Sequence, residues 1–383
     1  MTVERFQIQI SEEVLDDLKR RLNNVRWPEQ LEDPVWERGT DIGYLKSLVS
    51  YWRDHFDWRK QEAELNRFAQ FRCNVDGIDV HFIHERGKGP NPLPIILTHG
   101  WPDSFIRYKK VIPLLTDPAR YGGNAEDSFD VIVPSLPGFG FSGRPDHGGI
   151  NNFGVSQLWA KLMTEELGYQ KFAAGGGDVG SSVTRYLALS KPELLFGIHL
   201  TDIGIIRSLL TRDPASLSEE ELKYKKAVQE WISKEGGYIS LQSTKPHTLA
   251  YGLSDSPAGL AAWIIEKFRA WSDCNGDLRR RFSEDELLTN IMIYWATNTI
   301  GSAANIYYEN MHSLPPMGHI DVPTSVALFA ADVLLPPKKW AEQNLNISRW
   351  TLMPRGGHFA AMEEPELLAG DIREFYRQFR PGK

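Results

Sequence analysis

The feature that most constrains the fold is a run of small residues around one aspartate, Gly175-Gly176-Gly177-Asp178-Val179-Gly180-Ser181-Ser182. The apolar residues before it, 171–174, are typical of a short buried strand, and residues 183–189 after it of an amphipathic helix. A strand, a sharp turn and a helix form a nucleophile elbow, in which a reactive side chain lies on a strained turn. Because such a turn brings backbones close together, small flanking residues are required. The pattern predicts that Asp178 is a carboxylate nucleophile.

Two other interpretations of this turn stay open at this point. Gly175, Gly177 and Gly180 also satisfy the G-x-G-x-x-G pattern of dinucleotide-binding loops, and Asp202 follows about twenty residues later. However, a carboxylate inside such a loop would repel a pyrophosphate, and that fingerprint normally opens its domain. The other interpretation is a purely structural glycine turn. The motifs elsewhere in the chain favour the nucleophile elbow.

Length and composition limit the partners that the chain can have. Its 383 residues carry a net charge of −7 without a run of basic residues, so a nucleic acid is not expected as a partner. Cys73 and Cys274 are too few and too far apart for a disulfide framework or a zinc site, which favours a reducing, cytoplasmic setting. Residues 1–6 lack the apolar core of a signal peptide, and no apolar window approaches the roughly 18 residues of a membrane span. We expect a soluble protein without a membrane anchor.

Alternating strand and helix patterns predict an α/β fold. Residues 71–75 and 78–82 alternate in polarity around Asp76-Gly77, which is typical of a hairpin. Short apolar runs follow at 94–98, 129–133, 171–174, 196–200, 325–329 and 350–353, with helical stretches between them. Strands that alternate with helices imply a mostly parallel sheet flanked by helices on both faces.

Two segments outside this series are mainly helical. An amphipathic helix begins at Ser11, and a second, aromatic-rich helical stretch runs from about Ile42 through Trp58. Between about residues 205 and 320 the strand pattern stops, and we interpret this part as a helical cap over the carboxyl ends of the strands. The predicted organisation is an N-terminal helical segment at 1–70, an α/β core at 71–204 and 321–383, and a cap at 205–320.

Two further motifs lie where an elbow needs partners. His99-Gly100-Trp101-Pro102 follows the third predicted strand, where α/β-hydrolases have a backbone N–H of the oxyanion hole. The residue after the nucleophile supplies the other N–H, so Trp101 and Val179 are the predicted donors. Arg355-Gly356-Gly357-His358-Phe359 follows the last predicted strand. His358 is the predicted general base, since the order in this fold is nucleophile, acid, histidine.

An acid is needed to orient His358 and to stabilise its imidazolium form. Asp332 follows a strand-like run and precedes a Pro-Pro turn, which places it in the expected loop. Glu363 and Glu364 compete with it, although their position just after His358 is more typical of a helix start. Asp202 is a further rival because it follows the preceding strand. Asp332 is the favoured acid, with the other three as alternatives.

An aspartate at the elbow selects a type of chemistry. A carboxylate displaces a leaving group at an sp³ carbon and gives an alkyl–enzyme ester. His358 then activates a water molecule that attacks the ester carbonyl, and the oxyanion hole stabilises the intermediate. A serine would give an ether, which has no carbonyl for water to attack. Asp178 therefore indicates alkyl substrates, chiefly epoxides or haloalkanes.

The motifs together resemble those of the epoxide hydrolases of the microsomal type, within the α/β-hydrolase superfamily. The likeness covers nearly the whole chain and includes residues 99–102, 137–142, 177–180, 255–262, 287–290 and 355–361. It implies a cofactor-free and metal-free enzyme that converts an epoxide and water to a vicinal diol. The chain departs from the pattern at Val179, where animal members often have tryptophan, and at Asp332, where mammalian membrane-bound relatives have glutamate. The N-terminal anchor of those relatives is also absent from the sequence.

The resemblance also implies two cap tyrosines that hold the epoxide oxygen. The matching positions are Tyr238 and Tyr307, and Tyr308 is a rival for the second role because only the register separates them. A phenol suits this role, since its pKa of about 10 keeps it neutral and able to donate to a developing alkoxide.

Two other functions remain open from the sequence. A haloalkane dehalogenase shares the aspartate elbow but needs N–H donors for the halide, a role that Trp101 could fill. The other alternative is a catalytically silent receptor for a small molecule. The expected partners are a small apolar epoxide and water, with a homodimer as one possible assembly. Apart from the two tyrosines, the residues expected to line the substrate pocket are Trp101, Phe105 and Phe139.

Overall fold

The apolar runs of the sequence form the strands of a single sheet. The computed structural model describes residues 3–31, 35–204 and 207–380. Within these residues the strands are β1 (Glu4–Phe6), β2 (Gln70–Val75), β3 (Ile78–Glu85), β4 (Leu93–Thr98), β5 (Phe129–Pro134), β6 (Phe172–Gly176), β7 (Leu195–Leu200), β8 (Ile320–Phe329) and β9 (Leu345–Met353). Their order in the sheet is β1-β2-β3-β5-β4-β6-β7-β8-β9.

Helices precede, separate and follow the strands. They are α1 (Glu12–Asn23), α2 (Ile42–Asp54), α3 (Trp58–Leu65), α4 (Val111–Thr116), α5 (Asn152–Lys161), α6 (Val179–Ser190), α7 (Arg207–Thr211), α8 (Glu219–Glu235), α9 (Gly237–Thr244), α10 (Pro246–Asp255), α11 (Pro257–Trp271), α12 (Glu284–Thr297), α13 (Ile300–His312), α14 (Lys338–Glu342), α15 (Ala360–Glu363) and α16 (Pro365–Tyr376). Helices α7 to α13 are inserted between β7 and β8.

The sheet is parallel from β5 to β9 and antiparallel at its other edge. Strands β5, β4, β6, β7, β8 and β9 pair in parallel, whereas β1, β2 and β3 form antiparallel pairs that end on β5. The prediction of an α/β fold with a mostly parallel sheet is confirmed. Because parallel strands end at the same edge, the loops after β4, β6, β8 and β9 lie together there.

The predicted hairpin around residues 76 and 77 is present. Strands β2 and β3 pair antiparallel with Val75 opposite Ile78. Asp76 and Gly77 have positive φ angles of 50° and 85°, which is the backbone of a two-residue type I′ turn. The side chain of Asn74 accepts a hydrogen bond from the Gly77 N–H at 3.0 Å and supports the turn.

Two predictions about the N-terminal segment were wrong or incomplete. The single helix expected from Ile42 through Trp58 is two helices, because α2 ends at Asp54 and α3 begins at Trp58. The cause is Asp57, whose side chain accepts the Lys60 N–H and caps the start of α3. Strand β1 was not predicted, since three residues are too short to show an alternating pattern.

The N-terminal segment packs against the inserted helices. Thr40 Oγ1 donates to the Ala262 carbonyl on α11 at 2.7 Å, and the Tyr51 hydroxyl donates to Asp285 on α12 at 2.9 Å. These contacts join the N-terminal segment to two of the inserted helices. The division into a 1–70 segment, a core and a 205–320 cap stays a prediction, and residue 205 lies outside the described residues.

The described helices were also compared with the requirements of a membrane span. In residues 3–31, 35–204 and 207–380, no helix combines the length and the apolar character that crossing a bilayer requires. Residues 1 and 2, which belong to the stretch without a signal-peptide pattern, lie outside the described residues.

The start of α6 packs directly on the end of β4. A Cβ atom on Gly180 would lie 2.0 Å from the Thr98 carbonyl oxygen, and one on Gly176 would lie 2.5 Å from the backbone of Gly180. Both distances are far below van der Waals contact, so neither site has room for a side chain. The glycines therefore set the position of the turn that lies between them.

We expect Gly180→Ala to lower the free energy of unfolding by about 1–3 kcal/mol, because the methyl group overpacks the contact with Thr98. Displacement of the turn should also reduce any reaction rate that depends on the predicted nucleophile Asp178 by roughly 100-fold. Gly370→Ala is the matched control, since a Cβ on Gly370 in α16 would meet nothing within 4 Å. Urea unfolding and steady-state rates test both variants. Wild-type stability and activity in Gly180→Ala would contradict the close approach.

Candidate active site

The site is built around Asp178, which lies between β6 and α6. Its backbone has φ 56° and ψ −125°, a strained conformation for a residue with a side chain. The Asp178 N–H donates to Asp202 Oδ2 at 2.6 Å, and the Trp101 N–H donates to Asp178 Oδ1 at 2.8 Å. Asp178 is therefore held from two neighbouring loops, at its backbone by Asp202 and at its carboxylate by Trp101. Val179, the other predicted backbone donor, is the first residue of α6.

The loop after β4 is shaped to meet the Asp178 carboxylate. A Cβ on Gly100 would lie 2.4 Å from the Asp178 Cβ, so only glycine allows this approach. The Gly100 N–H donates to Asp103 Oδ1 at 2.9 Å, and Asp103 forms a buried ion pair with Arg107. Arg107 also donates to the His358 carbonyl at 2.7 Å. This pair, which sequence reasoning missed, joins the Trp101 loop to the histidine loop.

His358 lies between two carboxylates. Its Nδ1 is 2.9 Å from Asp332 Oδ1, and its Nε2 is 3.5 Å from Asp178 Oδ2. The Val333 N–H donates to the same Asp332 oxygen at 2.7 Å and fixes its orientation. Within the part of the chain that the structure describes, Nε2 has no hydrogen-bond partner. The imidazole is therefore oriented at one nitrogen and free to act at the other.

Burial and the neighbouring charges shift the pKa of His358 in opposite directions. Burial lowers the pKa of the imidazole, because a charged ring loses hydration. The carboxylates of Asp332 and Asp178 outweigh this effect and raise the pKa well above its ordinary value. The two carboxylates therefore favour the imidazolium form of His358.

The rival acid Glu363 supports the histidine loop from its backbone side. Its carboxylate accepts the N–H groups of Gly357 and Phe359, each at 3.0 Å, and that of Asp273 at 2.8 Å. Burial raises the pKa of Glu363 to about 7. The structure thus brings Glu363 to the residues on either side of His358 and not to the imidazole.

The other two rivals also have different partners. Glu364 Oε1 accepts hydrogen bonds from Arg281 and Arg355, each at 2.8 Å. Asp202 accepts the backbone N–H of Asp178, and burial raises the pKa of Asp202 to about 6. Asp202 is therefore a support of the elbow backbone.

Two tyrosines of the inserted helices contact Trp101, whose N–H donates to the Asp178 carboxylate. The ring of Tyr238 on α9 stacks on Trp101, with centroids 5.0 Å apart and an interplanar angle of 8°. Tyr307 on α13 meets Tyr238 edge-on, with centroids 5.7 Å apart. Tyr308 is 40% exposed and stacks on His312. The structure therefore places Tyr307, and not Tyr308, beside Tyr238.

Both tyrosines are strongly held in the phenol form. Burial raises the pKa of Tyr238 well above its ordinary value, and the negative charge of Asp178 adds to this effect. Burial also raises the pKa of Tyr307, with further contributions from Tyr238 and Asp178. Two neutral O–H donors thus lie in the electrostatic field of the elbow carboxylate.

A cap residue that sequence reasoning missed is Trp271, at the end of α11. Its ring meets the His358 imidazole edge-on at 5.3 Å, and its carbonyl accepts the His358 N–H at 2.8 Å. A Cβ on Gly357 would lie 2.7 Å from this carbonyl oxygen, which explains the glycine before the histidine. Nothing in the sequence marks Trp271, because its contacts depend on how the cap docks.

The two phenylalanines predicted for the pocket lie in aromatic clusters. Phe105 is buried and meets the rings of His81 and Phe141, with centroids 5.0 Å and 6.0 Å away. Phe139 meets the rings of His99 and Tyr294, at 5.4 Å and 6.3 Å. A role for Phe105 and Phe139 in substrate binding stays a prediction.

The fold and the site geometry together define a class of protein. A carboxylate on a strained strand–turn–helix, a histidine after the last strand and a helical insertion before β8 are features of the α/β-hydrolase fold. A family model described as "alpha/beta hydrolase fold" matches residues 94–237. A second model, described as "Epoxide hydrolase N terminus", matches residues 3–108.

Individual relatives define the family more closely. Epoxide hydrolase 1 of Sus scrofa is 40% identical over 98% of this chain and 88% of its own. Juvenile hormone epoxide hydrolase from the silkworm Bombyx mori superposes with a TM-score of 0.86 at 29% identity, covering 99% of this chain and 94% of that one. Aspergillus niger epoxide hydrolase gives a TM-score of 0.85 at 28% identity, covering 99% and 97%. The chain belongs to the epoxide hydrolases, enzymes that hydrolyse epoxides, and the resemblance stated from the sequence is confirmed.

The raised pKa of His358 can be measured by NMR titration of histidine-labelled protein, with His358→Gln to assign the signal. The pKa of His358 is higher in the folded protein than its unfolded value of about 6.5. The ion pairs of His358 with Asp332 and Asp178 therefore stabilise the fold fully below a pH of about 6.5. This stability is lost as the pH rises through the folded pKa. Asp332→Asn should lower the pKa of His358, because it removes the carboxylate at Nδ1. A wild-type signal that titrates at or below about 6.5 would contradict the electrostatic account.

Proposed function

We propose that this chain hydrolyses epoxides in two steps, through an ester between the substrate and Asp178. The observation that supports this proposal most directly is that the two carboxylate oxygens of Asp178 have different partners. Oδ1 accepts the Trp101 N–H, whereas Oδ2 faces His358 Nε2 across 3.5 Å. These contacts support a role for Oδ1 in the oxyanion site and for Oδ2 as the attacking atom.

In the first step, Asp178 Oδ2 attacks a ring carbon and the C–O bond of the epoxide breaks. The ring oxygen takes a proton from Tyr238 or Tyr307, which leaves a hydroxyl on the substrate and a phenolate on the enzyme. The proximity of the two rings supports a shared role at one oxygen. A positioned acid of this kind contributes roughly 10²–10⁴-fold in rate.

Ester formation changes the charge next to His358. The ester is neutral, so one of the two carboxylates that raise the pKa of His358 is lost. The imidazolium then releases its proton, which restores the phenol. His358 becomes a free base only after the ester has formed, and this order suits a base that must act second.

In the second step, His358 takes a proton from a water molecule that attacks Cγ of the ester. Asp178 Oδ1 carries the negative charge of the tetrahedral intermediate, and the Trp101 N–H already donates to that atom. The ester bond breaks, the departing oxygen takes the proton of the imidazolium, and the carboxylic acid formed on Asp178 then passes its proton to His358 as the diol leaves. Asp332 orients the ring and stabilises its charged form.

The two tyrosines of the inserted helices support epoxides over haloalkanes as the substrates. A halide leaves without a proton and is bound by N–H donors, whereas an epoxide oxygen stays on the product and needs an acid. The groups over Asp178 include two phenols, and this chemistry fits the second case. The apolar faces of Trp101 and Trp271 support a largely apolar substrate. The cytoplasmic setting and the homodimer stay predictions from the sequence.

His358→Gln should stop the reaction at the ester, because the nucleophile remains while the water is no longer activated. Intact-protein mass spectrometry should show an increase equal to the mass of the substrate. Loss of the base should slow breakdown of this adduct by roughly 10²–10⁴-fold. Asp178→Asn is the control and should form no adduct. A folded, inactive His358→Gln variant without an adduct would show that His358 acts in ring opening instead.

A further inference from the structure

A buried lysine of the cap contacts one of the two tyrosines. Lys267 lies on α11, and its side chain is only 8% exposed. Its ammonium nitrogen lies over the ring of Tyr238, 5.1 Å from the centroid, and 5.5 Å from the centroid of Trp271. A buried ammonium is costly unless it is paired, so its position against these two rings calls for a physical explanation.

Two carboxylates accompany the ammonium. Lys267 Nζ is 2.6 Å from Glu266 Oε2 and 3.4 Å from Glu235 Oε2. Glu235 is the last residue of α8, whereas Glu266 and Lys267 lie on α11. The cluster of Lys267, Glu235 and Glu266 binds the ends of α8 and α11 together beside Tyr238.

The charges that face Tyr238 are mostly negative. Asp178 approaches it from the elbow, and Glu235 and Glu266 lie on the cap side; each of the three raises the pKa of the phenol. Tyr307 on α13 also lies beside the ring, and its hydrogen bond with Tyr238 lowers the pKa of the Tyr238 phenol. Negative charge around a phenol opposes the release of its proton, so these carboxylates alone would weaken Tyr238 as an acid.

We propose that Lys267 is a positioning residue that keeps Tyr238 an effective proton donor to the epoxide oxygen. The inference rests on the proposed function, because it deepens the role given there to Tyr238. A cation over an aromatic face is attracted to the ring, and the attraction grows when the ring becomes negative. The ammonium balances Glu235 and Glu266 and stabilises the phenolate that forms as the epoxide opens. Its effect is therefore larger in the transition state than in the resting enzyme.

The position of the Tyr238 ring is also important, because this ring contacts Trp101. Tyr238 stacks on the Trp101 indole, and the Trp101 N–H holds Asp178 Oδ1. Lys267 thus acts on the face of a ring that also adjoins the oxyanion site. Because the phenolate that Lys267 stabilises forms only as the epoxide opens, Lys267 should affect ester formation and have little effect on ester hydrolysis.

The test is a double-mutant comparison with styrene oxide as the probe. Lys267→Met, Lys267→Gln and Lys267→Arg are made in the wild-type and Tyr238→Phe backgrounds. Single-turnover mixing gives the rate of ester formation and the rate of ester breakdown separately. We expect Lys267→Met to slow ester formation about tenfold, with breakdown unchanged within about twofold. Lys267→Arg keeps the charge and should restore most of the rate.

The Tyr238→Phe background separates the proposal from a purely structural role. Without the phenol hydroxyl, Lys267→Met should cause no further loss, since the lysine acts through that group. Lys225→Met is the matched control, because Lys225 is a buried cap lysine whose Nζ donates to the Arg212 carbonyl. It should leave ester formation unchanged. If Lys267→Met does not fold, Lys267→Gln provides the same comparison.

Equal losses for Lys267→Met in both backgrounds would overturn the inference, because they would assign the lysine to cap packing alone. Failure of arginine to restore ester formation would overturn the role of the charge. Failure of the proposed function has a different signature, since the wild-type enzyme would then form no ester on Asp178 at all.

Discussion

One buried imidazole shared by two carboxylates is the constraint on which the site depends. Asp332 and Asp178 lie on opposite sides of the His358 ring, and their charges keep it protonated despite its burial. Removing one partner of a buried ion pair typically costs about 3–5 kcal/mol, because the other charge is left uncompensated. The proposed mechanism would use the loss of one carboxylate charge. Alkylation of Asp178 would remove that charge and turn the imidazolium into the base that the next step requires.

The fold holds these groups in place from several directions. The parallel part of the sheet ends at one edge, where the loops after β4, β6, β8 and β9 supply Trp101, Asp178, Asp332 and His358. Glycines permit the close contacts between these loops, and the buried carboxylate of Glu363 binds the backbone around His358. The inserted helices complete the site from above with phenols. Under the proposed function, the loops at the edge of the sheet thus supply the nucleophile and its base, and the inserted helices supply the acid.

The sequence predicted the groups whose place follows from the strand pattern. Asp178, Asp332 and His358 each follow a strand of the parallel sheet, and such residues converge at one edge whatever the details of packing. Features that depend on tertiary contacts could not be predicted from the sequence. Tyr307 and Tyr308 differ by one position on α13, and only the docking of that helix decides which one faces Tyr238. Trp271 and Lys267 carry no local signal, because the aromatic and histidine rings that they contact include ones on other elements. The break between α2 and α3 depends on a single cap, Asp57, within an otherwise helical pattern.

The central claim is that the first bond to the substrate carbon is made by Asp178 and not by water. A single turnover in ¹⁸O-labelled water, with enzyme in excess over epoxide, tests this directly. The oxygen that the diol gains in the first turnover should come from the carboxylate, so the diol should be largely unlabelled. The label should appear in the peptide that contains Asp178, because water attacks Cγ of the ester. Label in the diol of the first turnover, with none in that peptide, would show direct attack by water and contradict the ester mechanism.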